Sequence, residues 1–392
     1  MTNAPKLPLW VIALGTGSAV MGITLITPAL PAIVSALNVL PEKVQQLLTF
    51  YLAMLALGQL AIGPLSDVFG RRIFFITGAF LIGASGLVAS FISQIDVLIF
   101  LRAIQGLGAA ACISMGRTMV NDFFSRADAQ KAMASVQTIQ AIVPMISLSC
   151  GGAIVFYAGW EGIMILISLA GIVLFLCSLI LLPETNVSKR PELNLSAILM
   201  GYKSVLKNRL FLAYLSVSSL QIAAFFALNA FIPYAYQKVG STSLTFGLWF
   251  ALTPLAYITG NLVNRLYMIK KGLETGILVG CSLSVLSMIL MLALNLISWQ
   301  HPLSLAIPCI MFGFANGLTI ANATIGGLGA VSSHAGTASG LIGSVTMILG
   351  GIGGAVLIFF GADKTTIIGI AGLLCMLAFS LVSAVKIFRH ST

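Results

Sequence analysis

Residues 63–72 read GPLSDVFGRR, an aspartate and two adjacent arginines framed by glycines at 63 and 70. An aspartate can accept the unpaired N–H groups at a helix N-terminus, where the partial charge is positive. An arginine can pair with a carboxylate on a neighbouring helix, and glycine permits a close approach or a tight turn. Contacts of this kind contribute about 0.3–1 kcal/mol each and ~2 kcal/mol when partly buried, so they can be made and broken repeatedly. The chemistry open to this stretch is that of a latch between helices. Covalent chemistry has no comparable cluster. His301, His334 and His390 fall outside the apolar runs, and the six cysteines are scattered singly without CxxC or metal-ligand spacing. The cysteines read as small core hydrophobes. No metal site and no cofactor is expected, and without paired aspartates, HExxH or a Ser/His set an enzyme is not expected either.

The elements that must position these residues are membrane spans. The chain has 392 residues, of which 59% are hydrophobic and 8% charged. Soluble domains carry roughly 25% charged residues, which excludes a water-soluble fold. A bilayer core takes about 20 apolar residues as a helix. On that rule the sequence predicts twelve spans, at 9–29, 44–64, 73–93, 97–119, 131–155, 161–182, 210–232, 245–266, 275–297, 303–325, 337–360 and 365–387. Pro28 and Pro31 are expected to close the first, which lacks the cleavage site of a removable signal. With the N-terminus in the cytoplasm, sixteen Lys and Arg lie on that side against Lys43, Lys238 and Lys364 on the other. The net charge of +10 is thus a topology signal, with both termini cytoplasmic and no nucleic-acid partner. The longest connection, 183–209, separates a six-helix bundle at 1–182 from a second at 210–392. Six plus six, all α, is the plan of transporters whose halves rock about a central site.

Within the spans the ionisable residues almost vanish. All ten acidic residues fall in loops or at span edges, and among the basic ones Arg102 alone lies away from the cytoplasmic edge of a span and within it. An intramembrane charge is expensive and usually functional. Arg102 is placed in the bundle interior, where it biases the water and the local pKa near a path, rather than snorkelling outward. The glycines of GLGAAA at 106–111 follow no strand and read as helix-packing points, Gly106 among them, not as a dinucleotide loop. In AIVPMISLSCGG, Pro144 with Gly151 and Gly152 predicts a hinge in the fifth span. Gln137, Gln140, Gln221, Asn229 and Asn322, with Gln59, Gln105, Asn261 and Asn316, are polar positions inside spans that could face a substrate cavity.

With these residues in view, the chain resembles the major facilitator superfamily, and within it the twelve-span drug:proton antiporters of the Bcr/CflA type. The loop pattern GxLxDxxGR[RK] is matched through Gly63, Leu65, Asp67, Gly70, Arg71 and Arg72. The fourth-span pattern RxxQGxGAA is matched through Arg102, Gln105, Gly106 and Gly108, and GRTMVNDFF places Asp122 at its end. PALPAI at 28–33, LPET at 182–185 and AGTASGLIG at 335–343 are similar to further family markers. The resemblance implies that Asp67 faces Gly336 at the start of the eleventh span, and that Arg71 pairs with Asp122. It implies a coupling and translocation role for Arg102, Gln105 and Gly106. Family members often carry an acidic residue, the usual proton site, four residues before the proline of PALP; here Thr24 stands there.

The expectation is a monomeric, multi-pass transporter of the inner membrane. It would export small, partly hydrophobic molecules, drugs or a self-made metabolite such as a siderophore, by alternating access. The resemblance implies protons as the coupling ion. Thr24 and the carboxylate-free spans also fit the alternative of an uptake permease or uniporter without proton coupling.

Overall fold

The structure, a computed structural model, describes residues 7–186, 195–331 and 335–391. The middle of the predicted connection, 187–194, lies outside the described residues. Among the described residues, twelve helical segments are long and apolar enough to cross a membrane, one at each predicted span. The first half of the chain contains α1 Leu9–Thr24, α2 Leu30–Leu37, α3 Pro41–Phe69, α4 Arg71–Ala89, α5 Ile95–Phe123, α6 Arg126–Ala158 and α7 Glu161–Leu181. A short helix, α8 Leu195–Leu206, precedes the second half. That half contains α9 Arg209–Lys238, α10 Ser243–Phe250, α11 Leu252–Val263, α12 Leu273–Leu296, α13 Leu303–Ala330, α14 Ala335–Phe359 and α15 Thr366–Ser391. No strand occurs among the described residues.

An even number of crossings returns the chain to the side on which it began, the terminal face; the opposite side is the distal face. Helices α1 to α7 pack among themselves, as do α9 to α15, and the two sets meet along α3 with α14 and along α6 with α10 and α11. A repeat that the sequence hides is visible in the backbone. Gly70, which joins α3 to α4, and Gly272, which precedes α12, have φ of 109° and 96°. These values suit glycine alone and turn the chain identically at the same place in each half.

The first span does not stop at its prolines. α1 ends at Thr24, a 3-10 turn covers Thr27–Ala29, and α2 continues to Leu37. Pro28 cannot donate to the carbonyl four residues back, which breaks the helix at Thr24. Both prolines then occupy first-turn positions of the next segments, where a missing N–H costs nothing. The break is a bend, not an end. Pro254 accompanies a similar interruption between α10 and α11 in the second half.

Candidate functional site

At the terminal face, the 63–72 stretch forms the end of α3 and the start of α4. Arg71 lies 2.6 Å from the carboxylate of Asp67 and 3.2 Å from that of Asp122 on α5, and it also donates to the Ser66 hydroxyl. Gly70 provides the turn, and with no side chain it leaves the α4 N-terminus uncapped. Glu184 fills that place from the segment after α7. Its carboxylate accepts the backbone N–H groups of Arg71 at 2.9 Å and Arg72 at 3.2 Å. Arg72 returns the arrangement, donating to the carbonyls of Leu182 and Leu179 at the end of α7, both at 2.7 Å. An anion thus sits at one helix N-terminus and a cation at the neighbouring C-terminus, each complementing a helix dipole. Asn186 completes the tie through the carbonyl of Asp67 at 3.0 Å.

In the sequence Glu184 stands out only through its place in LPET. The signal that does point to it is a turn glycine starting a helix without a capping side chain, with a carboxylate just past a later span. Partial burial tends to raise the Glu184 pKa. The backbone N–H groups of Asn186, Arg71, Arg72 and Thr185 outweigh it and hold the carboxyl below its ordinary value. A depressed carboxyl stabilises the fold above the unfolded-state pKa of about 4.3, and this is lost as pH falls through the lower folded-state value. Glu184→Gln should therefore lower the thermal midpoint near neutral pH. The pH-dependent part of the gap from the parent should close below about pH 4; a gap constant down to pH 3 would contradict this role.

One latch expectation changes. Gly63 makes no close approach: a Cβ there would meet nothing within 4 Å. It precedes Pro64 inside α3, where a Cβ would crowd the proline ring, so its reason lies within its own helix. The expected seat of Asp67 at Gly336, in the first turn of α14, lies outside the residues whose surroundings are described.

Arg102 is fully buried. Its Nη2 donates to the Gly22 carbonyl and its Nη1 to the Gln105 side-chain oxygen, both at 2.6 Å. Its Nε reaches the Leu47 carbonyl at 3.4 Å, and the guanidinium stacks 4.2 Å from the Tyr51 ring centre. Gly22 lies in the last turn of α1, whose carbonyls lose their helical partners at the Thr24 break. Arg102 caps that end and opposes its negative dipole charge; Thr27 donates similarly to the Ile23 carbonyl at 3.3 Å. Gly106 lets α5 approach so closely that a Cβ would strike the Tyr51 carbonyl oxygen. Arg102, Gln105 and Gly106 therefore stand behind α1 and shape it, without reaching the cavity wall described next.

A cavity of about 210 Å³ lies at mid-depth between the halves. The first half contributes Thr24 of α1 and Gln140 and Pro144 of α6 to its wall. The second contributes Phe225 and Phe226 of α9, Thr253 and Tyr257 of α11, and Asn316 of α13. No side chain on the wall carries a charge at neutral pH. Toward the distal face the halves close over it. Thr27 bonds Asn229 at 3.2 Å, and Thr49 donates to the Gly351 carbonyl at 3.3 Å. A Cβ on Gly152 would strike the Ser243 carbonyl and come within 3.0 Å of the Gly247 Cα. Stacked Phe225, Phe250 and Phe246 continue the seal. Gly151 meets the Leu25 carbonyl of its own half, so the glycine pair beyond Pro144 is a contact point, with α6 helical throughout.

Of the other polar positions, Gln140 and Asn316 line the cavity. Asn322 forms a reciprocal amide pair with Asn264 at 2.8 and 3.1 Å. Gln221 is held by Ser284 at 3.0 Å, Ser380 at 3.2 Å and Cys281 at 3.4 Å. Asn229 serves the distal seal, and Gln137 is exposed on α6. A buried amide in a membrane helix satisfies itself on a neighbouring helix when one is in reach, which removes these three from the wall. Thr253 has no such signal, because sequence alone does not tell which face of a span looks inward.

Residues 12–355 match the Major Facilitator Superfamily. The chain is 28% identical to a bicyclomycin resistance protein homolog of Haemophilus influenzae over 354 residues, 88% of each chain. It is 26% identical to a chloramphenicol resistance protein of Pseudomonas aeruginosa, covering 85% of this chain and 78% of that one. The solved structure of a bacterial homolog of the human lysosomal transporter Spinster, inward-facing and unoccupied, superposes with a TM-score of 0.75 at 12% identity, covering 97% of this chain and 95% of the other. Twelve apolar helices in this arrangement and a match over most of the length identify a multi-pass membrane transporter, and the chain belongs to the Major Facilitator Superfamily.

Proposed function

We propose that the protein exports small, partly hydrophobic molecules across the inner membrane by alternating access, in exchange for protons. The terminal face is then cytoplasmic, as the bias of Lys and Arg favours. The observation that carries this reading is a charge-free, largely apolar cavity walled by both halves, with the halves joined between it and the distal face. A cargo from the cytoplasm would enter this state, and parting of α6 from α10 would release it. Drug-resistance relatives favour export over uptake. Thr24 on the cavity wall, in place of a carboxylate, favours the alternative of an uncoupled permease.

Accumulation of a panel of labelled antibiotics and siderophores is compared in cells with and without the gene. Export predicts several-fold lower accumulation with the gene, abolished when a protonophore collapses the gradient. A difference that survives the protonophore supports the uncoupled alternative, and higher accumulation with the gene overturns export.

A further inference from the structure

Two atoms on the cavity wall are left without a protein partner. The Thr253 hydroxyl and the Asn316 side-chain oxygen each have no hydrogen bond, although the residues are only 1% and 3% exposed. Buried amides elsewhere in the same half do reach partners on neighbouring helices, Asn264 with Asn322 and Gln221 with Ser284. The other unpartnered buried hydroxyls among the described residues of this half, those of Tyr236 and Ser241, do not line this cavity. Burial of a polar group is tolerated when something supplies its hydrogen bond. Both unpartnered residues belong to the second half, one on α11 and one on α13, and both border the same space. The Gly313 carbon that adjoins them allows no Cβ, because it would strike the Thr253 carbonyl oxygen. The two helices are thus held close at this point, which brings a hydroxyl and an amide oxygen to one patch of wall.

The rest of the surroundings decides the charge of what can sit there. Phe225, Phe226 and Tyr257 supply aromatic surface, and Gln140 faces from the other half. The wall holds no carboxylate to pair with a cation. Behind α1 lies a fixed cation, since Arg102 holds the Gly22 carbonyl. Gly22 is about 200° around the helix from Thr24, two residues along at roughly 100° each. Aromatic faces attract cations, but not enough to offset desolvation without a counter-ion. An anion would find no donor with a formal charge on the wall.

We infer that Thr253 and Asn316 form a hydrogen-bonding grip for an uncharged, aromatic or compact apolar molecule that carries at least one hydroxyl or amide N–H. The donor group points to the Asn316 oxygen, the Thr253 hydroxyl gives or takes the second bond, and the apolar body lies against Phe225 and Phe226. The volume is below the ~300 Å³ at which drug-sized pockets begin, so a single substituted ring suits this state. The inference rests on the cavity being the transport site.

Binding is measured on the purified full-length protein with two labelled probes, chloramphenicol, uncharged with hydroxyls and an amide N–H, and tetraphenylphosphonium, an apolar cation. The expected result is saturable chloramphenicol binding and at least about tenfold weaker binding of the cation. Thr253→Val and Asn316→Leu should each weaken chloramphenicol about 10- to 100-fold, the range expected when a buried hydrogen bond is left unmade. Thr253→Ser, which keeps the hydroxyl, should stay near the parent value, and thermal midpoints identify any variant that fails to fold. Equal or tighter binding of the cation, no chloramphenicol binding at millimolar concentration, or an Asn316→Leu protein that binds like the parent would each overturn the proposal. Selective binding without net export in cells would instead retire the export reading and leave the grip standing.

Discussion

Replacing Arg102 with methionine should lower the stability of the purified protein by about 2–4 kcal/mol and reduce transport at least about tenfold. The volume is nearly conserved, so the loss is not one of packing. The variant strands the Gly22 carbonyl at the end of α1 and the Gln105 oxygen, both on buried residues. An unsatisfied buried acceptor costs about 1–3 kcal/mol, partly offset because the cation's own desolvation is relieved. The functional loss follows from what α1 carries. Thr24, two residues beyond Gly22, lies on the cavity wall, and the bend at Thr24 sets where that wall stands. Arg102→Lys keeps the charge but cannot span Gly22, Gln105 and Leu47 with one compact head group, so it should fall between the parent and the methionine variant. The readouts are the thermal midpoint in detergent and substrate accumulation in cells. A methionine variant that melts and exports like the parent would show that α1 ends without this cap.

Fold and site were legible to different degrees for physical reasons. Every span stood out because a bilayer imposes about 20 apolar residues per crossing whatever the packing. GPLSDVFGRR and Asp122 stood out because charge is scarce in this chain, and Arg71 does sit between Asp67 and Asp122. Polar residues inside spans were a different matter. Gln140 and Asn322 look alike in sequence, yet one lines the cavity and the other pairs with Asn264, because neighbouring helices set the outcome. Thr253 looks unremarkable until α13 is placed beside it. The cap at Glu184 was hidden for the same reason, since 113 residues separate it from Arg71. The prolines at 28 and 31 misled in the opposite direction. They are strong breakers locally, but Thr27 and Arg102 satisfy the Ile23 and Gly22 carbonyls at the break, and the span continues.

The adjacent glycines 151 and 152 allow a test in which neighbouring substitutions give different results. Gly152→Val should shift the protein toward a state open at the distal face, whereas Gly151→Val should destabilise it without that shift. Gly152 faces the other half of the molecule, and the atoms a Cβ would meet are the backbone of Ser243 and Gly247, which cannot turn aside as a side chain could. Gly247 faces back in the same way, toward the Leu148 carbonyl and the Gly152 Cα. Overpacking of this kind costs roughly 1–3 kcal/mol, and the cost falls only on the state in which α6 and α10 touch. At about 1.4 kcal/mol per tenfold, the equilibrium should move about 5- to 150-fold toward the distally open form. Gly151 instead meets Leu25 and Pro28 of its own half, a contact that rocking of the halves leaves intact, so its cost is paid in every state. The measurement is labelling of Ala141→Cys, on the cavity wall, with an impermeant maleimide in a background lacking the native cysteines. In the parent and the Gly151 variant the site should be protected from the distal side, and in Gly152→Val it should react. Protection that persists in a well-folded Gly152→Val protein would mean that the α6–α10 contact is not what holds the distal face shut, and that the seal resides in the Thr27–Asn229 pair and the phenylalanine stack.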